Sequence, residues 1–584
     1  MRLSKFIPDW VTGYRRQWLA GDAIAALVAT MMLVPQALAY AALAGLPPHI
    51  GLYASLLPLL GYALFGSSPV LSVGPVAVLA LMTASALAPI AAPGSAEYLA
   101  GAILLAALSG IFLLVMGMLR LGALSNLLSH PVIHGFVSGA AVLIMVGQLS
   151  PLLGIDSDGH TALQLFISTV EHLPATAVQT AAVGIGAVLV LLAAKFALAP
   201  VLHKLGVGEH TANLLARLAP MLVVLLAIAL THVFHWNKQL AVVGAIPPGL
   251  PPLQLPPLDW HLAYRLLLPS LIIALLGFVE SLSIAHAIAL RRGQRLNADA
   301  ELRGLGAANL LSAFSGGFAV TGSFARTAIN DEGGAMSPFS GVITAGLMAL
   351  VLLFVTGLFS ELPRTVLAAT IIVASAGLVD LRGFLHNWRY DRTDGLAMAG
   401  TFLGVLLFGV EAGIGLGVGL SFATLIWRSS RPHIAVVGRV PGTEHFRNVL
   451  RHTVETQPKI LFLRIDESLF FSNISAVEER LLSELKRHPQ VRDLVMILSS
   501  VSRIDGTALE RLQQVNRDLH ERNIRLHLSE VKGPVLDRLG RSRLLEELTG
   551  RVFLSSYIAE LALRHGDSGD TANTGDESPA TGSA

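Results

Sequence analysis

Fourteen apolar segments follow one another between residues 22 and 429, separated by short polar breaks. A helix that spans the hydrocarbon core of a bilayer needs about 20 apolar residues, and fewer when it ends inside the protein. The pattern therefore predicts an α-helical polytopic membrane protein with about fourteen transmembrane helices. We place these helices at residues 22–44, 50–66, 75–90, 97–119, 129–150, 177–199, 212–232, 264–289, 301–315, 323–335, 339–359, 364–379, 394–410 and 412–429.

The pattern changes after residue 432, where charge density becomes typical of a soluble domain. Strand-like runs at 461–465, 494–498 and 524–528 alternate with amphipathic helical runs at 475–486 and 507–520. This alternation favours an α/β domain of about 130 residues. The predicted organisation is a cytoplasmic N-terminal segment (1–21), a transmembrane domain (22–430), a cytoplasmic domain (431–565) and a disordered tail (566–584).

The distribution of basic residues predicts the orientation of the helices. Alternate breaks hold most of the Lys and Arg, as at Arg120, Lys204 and Arg291, and these breaks should face the cytoplasm. The intervening breaks hold acids such as Asp156 and Glu361. An even number of helices then leaves both termini in the cytoplasm. We expect a multi-pass protein of the cell membrane, that is, the inner or plasma membrane.

The amino-acid composition agrees with a membrane protein and excludes several kinds of active site. The chain is 53% hydrophobic and 14% charged, whereas soluble domains carry about 25% charged residues. It has no cysteine, which excludes thiol nucleophiles and thiolate metal sites, and its 19 histidines form no HExxH spacing. No catalytic triad or phosphate-binding loop emerges either. We expect no enzyme activity, no cofactor, no metal and no nucleic-acid partner.

Two pairs of landmarks indicate an internal repeat. Gln36 in the first helix and Glu280 in the eighth are 244 positions apart (280 − 36), and Gly74 and Ser323 are 249 apart (323 − 74). These similar offsets favour a duplication of seven helices. Since seven is odd, the second copy inserts upside down, which is the 7+7 inverted-repeat design of secondary transporters.

The third and tenth helices occupy equivalent positions in the two repeats. Both are short, and both follow glycine-containing breaks. If both begin near the middle of the membrane, their free N–H groups converge there and favour an anion. Gly74, Gly322 and Ser323 would let the backbone approach that ligand. The alternative is that these glycines only permit close helix packing.

Three polar residues inside the membrane are candidates for function. Arg326 lies one turn into the tenth helix, where a buried cation could attract an anion; alternatively it extends to the inner surface. Glu280 is a candidate proton carrier because burial disfavours the ionised carboxylate, and it could also pair with Arg326. Gln36 could bind an oxyanion or bridge two helices.

Four motifs carry a family resemblance over nearly the whole chain: VPQALAYA at 34–41, GLY at 51–53, SVGP at 72–75 and GSFARTAIN at 322–330. Together they resemble the SulP (sulfate permease) family of anion transporters, and the trailing domain looks like a STAS domain. The resemblance implies seven plus seven inverted repeats, divided into a mobile core and a gate, in a homodimer within the lipid bilayer. It implies a substrate site at Gln36, Tyr40, Gly74, Pro75, Phe324, Ala325 and Arg326. Many members carry serine at the position of Ala325, so one hydroxyl ligand is missing here.

The expected function is secondary active transport of a small inorganic or carboxylate anion, with sulfate as the first candidate and bicarbonate or a dicarboxylate as alternatives. Glutamate at position 280 accompanies proton-coupled members of the family, so the resemblance favours proton symport. Two other readings stay open: a nucleobase carrier of the same fold, and a membrane sensor or scaffold that signals through the STAS-like domain. Arg326 argues against the first, since nucleobase carriers place acids at the substrate.

Overall fold

The computed structural model describes residues 8–123, 129–159 and 161–564. The chain forms two compact units, Met1–Phe422 and Ala423–Ala584. The tail predicted at 566–584 and the first seven residues lie outside the described ranges.

The membrane unit follows the predicted succession of apolar helices. Among the described residues, eight helices are long and apolar enough to cross a bilayer on their own. In chain order the helices that correspond to the predicted segments are α1 (Leu19–Leu43), α2 (Leu57–Phe65), α3 (Ala77–Leu87), α4 (Ala96–Met118), α5 (His130–Gly147), α6 (Val178–Ala193), α7 (Ala219–Phe234), α8 (Trp260–Arg292), α9 (Ala298–Phe314), α10 (Phe324–Glu332), α11 (Phe339–Leu350), α12 (Arg364–Ala376), α13 (Arg392–Phe408) and α14 (Val410–Ser429).

The structure differs from the predicted segments at several places. The second segment is broken, because a separate short helix, His49–Tyr53, precedes α2. The seventh begins at Ala219 rather than at 212, since a proline in the first turn starts a new helix after Glu209–Arg217. The sixth continues through a π-helical turn at Ala194–Leu198.

The membrane helices pack as two groups. In the first, which we call the core group, α1–α4 pack with α8–α11, chiefly α4 and α2 against α9 and α4 against α8. In the second, the gate group, α5 packs on α13 and α6 on α12, with α7 and α14 beside them. The first four helices of one repeat therefore pack with the first four of the other, and the last three pack with the last three. This division agrees with the predicted inverted repeat.

Two short strands join the repeats at the centre of the core group. β1 (Val73–Gly74) precedes α3, and β2 (Thr321–Gly322) precedes α10. They pair antiparallel, with Val73 opposite Gly322. Val73 and Gly322 are 249 positions apart (322 − 73), which equals the offset of Gly74 and Ser323, and the other pair, Gly74 and Thr321, is 247 apart (321 − 74). Corresponding segments of the two repeats therefore meet each other in opposite directions.

The second unit contains a mixed sheet with helices between its strands. Its elements are β3 (Ile434–Arg439), β4 (Phe446–Asn448), β5 (Ile460–Ile465), α15 (Ile474–Arg487), β6 (Asp493–Ile497), α16 (Gly506–Glu521), β7 (Arg525–Ser529), α17 (Gly533–Leu539), α18 (Leu544–Glu547), β8 (Val552–Phe553) and α19 (Ser556–Arg564). The strand order is β4-β3-β5-β6-β7-β8. Pairing is antiparallel between β3 and both β4 and β5, and parallel from β5 to β8. The predicted strands and helices are all present, at β5, β6, β7, α15 and α16.

Candidate functional site

The starts of α3 and α10 lie side by side because β1 and β2 hold them together. Beyond the strand pair, the Ser323 N–H donates to the Ser72 carbonyl at 3.0 Å, and the Ser72 N–H donates to Thr327 Oγ1 at 3.1 Å. Ser323 also caps α10, whereas no side chain caps α3, which begins after the extended residue Val76. The predicted convergence of two helix N-termini is therefore confirmed, and both present partial positive charge to the same region.

Arg326 is the largest fully buried side chain of the described residues and lies behind these helix starts. Its Nη1 donates to Gln36 Oε1 and to the Pro75 carbonyl, each at 3.0 Å. Its Nε and Nη2 are buried without a hydrogen-bond partner in the described structure. A buried cation with unused donors is costly, and such groups call for a ligand, water or ion. The guanidinium does not extend to the inner surface.

Gly74 provides the space for this guanidinium. A Cβ atom at position 74 would stand 3.2 Å from Arg326 Nη2 and 3.5 Å from Leu33 Cδ1. Gly74 therefore has a specific packing role: the backbone of β1 and the cation of α10 approach each other closely.

Glu280 lies on α8, and one of its oxygens, Oε2, is buried without a hydrogen-bond partner in the described structure. Within those residues, no ion pair or hydrogen bond joins Glu280 to Arg326. The direct Glu280–Arg326 pair that we considered is thus absent in this conformation. Glu280 is a half-buried acid with capacity for a further partner.

The residue after Glu280 fixes α8 to β2. Ser281 Oγ accepts the Gly322 N–H at 2.8 Å and lies 2.6 Å from Thr321 Oγ1. Thr321 in turn donates to the Gly277 carbonyl at 2.6 Å. These bonds form one chain from the β2 backbone to the α8 backbone. They hold the helix that carries Glu280 in register with the start of α10.

A cavity of about 540 Å³ lies between the core and gate groups, and we call it the central cavity. Its core wall comes from α1, α3, α8 and α10, and its gate wall from α6, α7, α12 and neighbouring residues. Six predicted site residues line it: Gln36, Tyr40, Glu280, Ser323, Phe324 and Ala325.

The other three predicted site residues, Gly74, Pro75 and Arg326, do not line the central cavity. They form a layer directly behind it, because the Arg326 guanidinium turns towards Gly74 and Pro75. Gln36 connects the two layers, since it lines the cavity and accepts from Arg326. All nine residues thus lie in one region. Arg326 is connected to the central cavity by its hydrogen bond to Gln36.

Some residues of this region were missed from the sequence. Ser281 and Thr321 could have been found, because each adjoins a motif residue. Lys195 and Thr370 line the gate wall. No sequence motif on α6 or α12 marks this wall.

Comparison with known proteins places the chain in a family. A model described as the sulfate permease family matches residues 19–401, and one described as the STAS domain matches residues 451–558. The probable sulfate transporter 4.2 of Arabidopsis thaliana is 36% identical over 554 residues, covering 92% of this chain and 80% of that protein. A probable sulfate transporter of Mycobacterium tuberculosis is 35% identical over 560 residues, covering 94% and 96%.

Solved structures show the same fold. The murine solute carrier 26 family member A9 anion transporter, in its inward-facing state, superposes with a TM-score of 0.86 at 20% identity, covering 96% of this chain and 94% of that one. The transmembrane domain of a cyanobacterial bicarbonate transporter gives a TM-score of 0.58 at 24% identity, covering 69% and 98%.

These findings confirm the predicted class of a multi-pass helical membrane protein with a C-terminal STAS domain. The expectation that the chain is not an enzyme is also confirmed, since its relatives are transporters. With a family match over most of its length and relatives above 30% identity across nearly the whole chain, this protein belongs to the sulfate permease family.

Proposed function

We propose that this protein is a secondary transporter that moves a small anion across the membrane through the central cavity. The observation that carries the proposal is Arg326, fully buried beside two helix N-termini with two donor atoms unused. A fixed cation and aligned peptide dipoles in a low-dielectric site stabilise a negative solute far more than they would in water.

We propose sulfate as the substrate, with bicarbonate or a dicarboxylate as alternatives. The names of the relatives above support sulfate, and the wall offers groups that suit an oxyanion. Gln36 and Tyr40 on α1 can donate hydrogen bonds, and Ser323 adds a hydroxyl. Ala325 adds none, so we propose that Gln36 and the α3 and α10 backbone carry most of the recognition.

The transport step that we propose is alternating access. The core group holds the anion while it moves against the gate group, so that the central cavity opens to one side of the membrane at a time. The position of the cavity between the two groups supports this motion. We further propose that the protein works as a homodimer in the cell membrane, with both termini in the cytoplasm.

We propose that Glu280 couples transport to protons. When protonated, Glu280 is neutral and tolerates an anion in the cavity that it lines. When ionised, it repels the anion and cancels part of the field of Arg326. Binding of a proton and binding of the anion therefore favour each other, which favours their movement across the membrane together.

The test is uptake of radiolabelled sulfate, bicarbonate and dicarboxylates into proteoliposomes under an imposed inward proton gradient. We expect at least one anion to accumulate above the level in protein-free liposomes. Glu280→Gln should abolish accumulation driven by the gradient but preserve anion exchange, because glutamine mimics the protonated state. Glu411→Gln is the matched control, since Glu411 lies in the first turn of α14 and does not line the central cavity.

Two results would count against the proposal. If no tested anion enters faster than into empty liposomes, the transport assignment fails for those substrates. If Glu280→Gln retains full dependence on the proton gradient, the proton is carried elsewhere.

A further inference from the structure

A second cavity of about 530 Å³ lies further along α1 and α12, and we call it the outer cavity. On α1, the central cavity is lined up to Tyr40, whereas Ala42 and the following loop line the outer cavity. On α12, Arg364 and Leu367 line the outer cavity, and Thr370 lines the central one. The two cavities are thus successive spaces along the same pair of helices.

Ile371 separates the two spaces. It lines both cavities and is only 2% exposed. Since α1 belongs to the core group and α12 to the gate group, both cavities lie at the boundary where the groups would move. The outer cavity has the position of the second half of a translocation route, with Ile371 at its border with the first half.

The charge of the outer cavity is positive. Arg364 lines it together with His49 and Gln148, and no carboxylate is among the described lining residues. Among the described residues, Glu361 forms no ion pair with Arg364; its carboxylate contacts His232 at 2.9 Å and Asn237 at 3.5 Å instead.

Arg364 is held in place and still has free donors. Its Nε donates to the Val242 carbonyl at 3.1 Å, and its backbone N–H donates to the Ala241 carbonyl at 2.9 Å. Its two terminal nitrogens make no hydrogen bond in the part of the chain that the structure describes. A guanidinium fixed through Nε therefore presents the pair of donors that matches an oxyanion.

We infer that the outer cavity is a recruitment site for the transported anion, in which Arg364 binds the anion before the route past Ile371 opens. This inference rests on the proposed transport function. Because charges that line a concave site raise the local concentration of an oppositely charged solute, Arg364 should lower the KM for uptake from its own side of the membrane. It should leave the KM from the opposite side unchanged.

The experiment compares right-side-out and inside-out membrane vesicles containing wild type, Arg364→Gln, Arg364→Lys or Arg265→Gln. Arg265, near the start of α8, is an exposed matched control that does not line the cavity. We expect Arg364→Gln to raise the sulfate KM about 3- to 10-fold from one membrane face only, at low ionic strength, with kcat unchanged. The effect should shrink at 1 M salt, where the Debye length is about 3 Å.

Arg364→Lys separates charge from structure, since it keeps the charge but loses the Nε bond to Val242. We expect Arg265→Gln to retain a KM near that of wild type, and Arg364→Lys to raise the KM less than Arg364→Gln does, because lysine keeps the charge but lacks the paired donors. An unchanged KM in Arg364→Gln, an equal rise from both faces, or an equal rise in the lysine variant would overturn the recruitment role while leaving transport established. Absence of flux of sulfate, bicarbonate and dicarboxylates through the wild type would instead overturn the proposed function, and the recruitment role with it.

Discussion

At the scale of single residues, the site depends on how closely two backbones and one cation can approach. Gly74 shows this most clearly. A methyl group at this position would press against the Arg326 guanidinium, which already donates hydrogen bonds to Gln36 and Pro75. The backbone of Gly74 is not in the left-handed region, so alanine is conformationally allowed. Any effect of the substitution therefore reports on the Arg326 contact.

We expect Gly74→Ala to raise the KM for the transported anion about tenfold, with little loss of thermal stability. The guanidinium must shift by a few tenths of an ångström, which weakens its bonds to Gln36 and Pro75 and lowers the anion affinity by about 1.4 kcal/mol, the equivalent of tenfold. Flux kinetics in proteoliposomes measure the change. Gly346→Ala on α11 is the control, since a Cβ there meets nothing within 4 Å. An unchanged KM in Gly74→Ala would show that the position of Arg326 does not govern substrate affinity.

At the scale of elements, the hydrogen-bond chain through Ser281 determines how α8 meets β2. Ser281 is fully buried, and its Oγ is the acceptor for the Gly322 N–H. Alanine at this position leaves that N–H unpaired, and a buried unpaired donor costs about 1–3 kcal/mol. The same change loosens the register between Glu280 and the start of α10.

We therefore expect Ser281→Ala to lower the melting temperature of the detergent-solubilised protein by several degrees and to reduce anion flux. Ser283→Ala provides the control on the same helix, because among the described residues Ser283 Oγ bonds only to the Val279 carbonyl one turn earlier. Equal melting temperatures for the two variants would mean that the bond to β2 adds nothing to the stability of α8.

The same elements show what could be predicted from sequence. The convergence of α3 and α10 followed from the repeat offset and from the shortness of both helices, which are local signals. The direction of the Arg326 side chain could not be predicted from the sequence, because it depends on the space left by Gly74 across the β1–β2 pair. The gate wall was also missed, since its residues on α6 and α12 are mostly apolar and resemble any lipid-facing or core position. Contacts between distant helices leave no periodic pattern.

At the scale of the whole molecule, the two units have separate interiors. The residues that line the central and outer cavities all lie within Met1–Phe422. The second unit buries its own apolar residues on both faces of its sheet, as at Leu463 and Val495. The transport chemistry proposed above therefore needs no residue of the STAS unit.

We expect deletion of residues 434–584 to leave anion flux within about an order of magnitude of the full-length value, because every residue proposed to bind the anion remains. Flux of purified full-length and truncated protein, reconstituted at equal density, measures this. Arg326→Gln in the truncated chain is the negative control, and it should lose flux because the buried cation is removed. A truncated protein that still melts cooperatively but carries no anion would favour the sensor or scaffold reading, in which the STAS unit is needed for every output. Retained flux would instead restrict the STAS unit to regulation, assembly or partner binding.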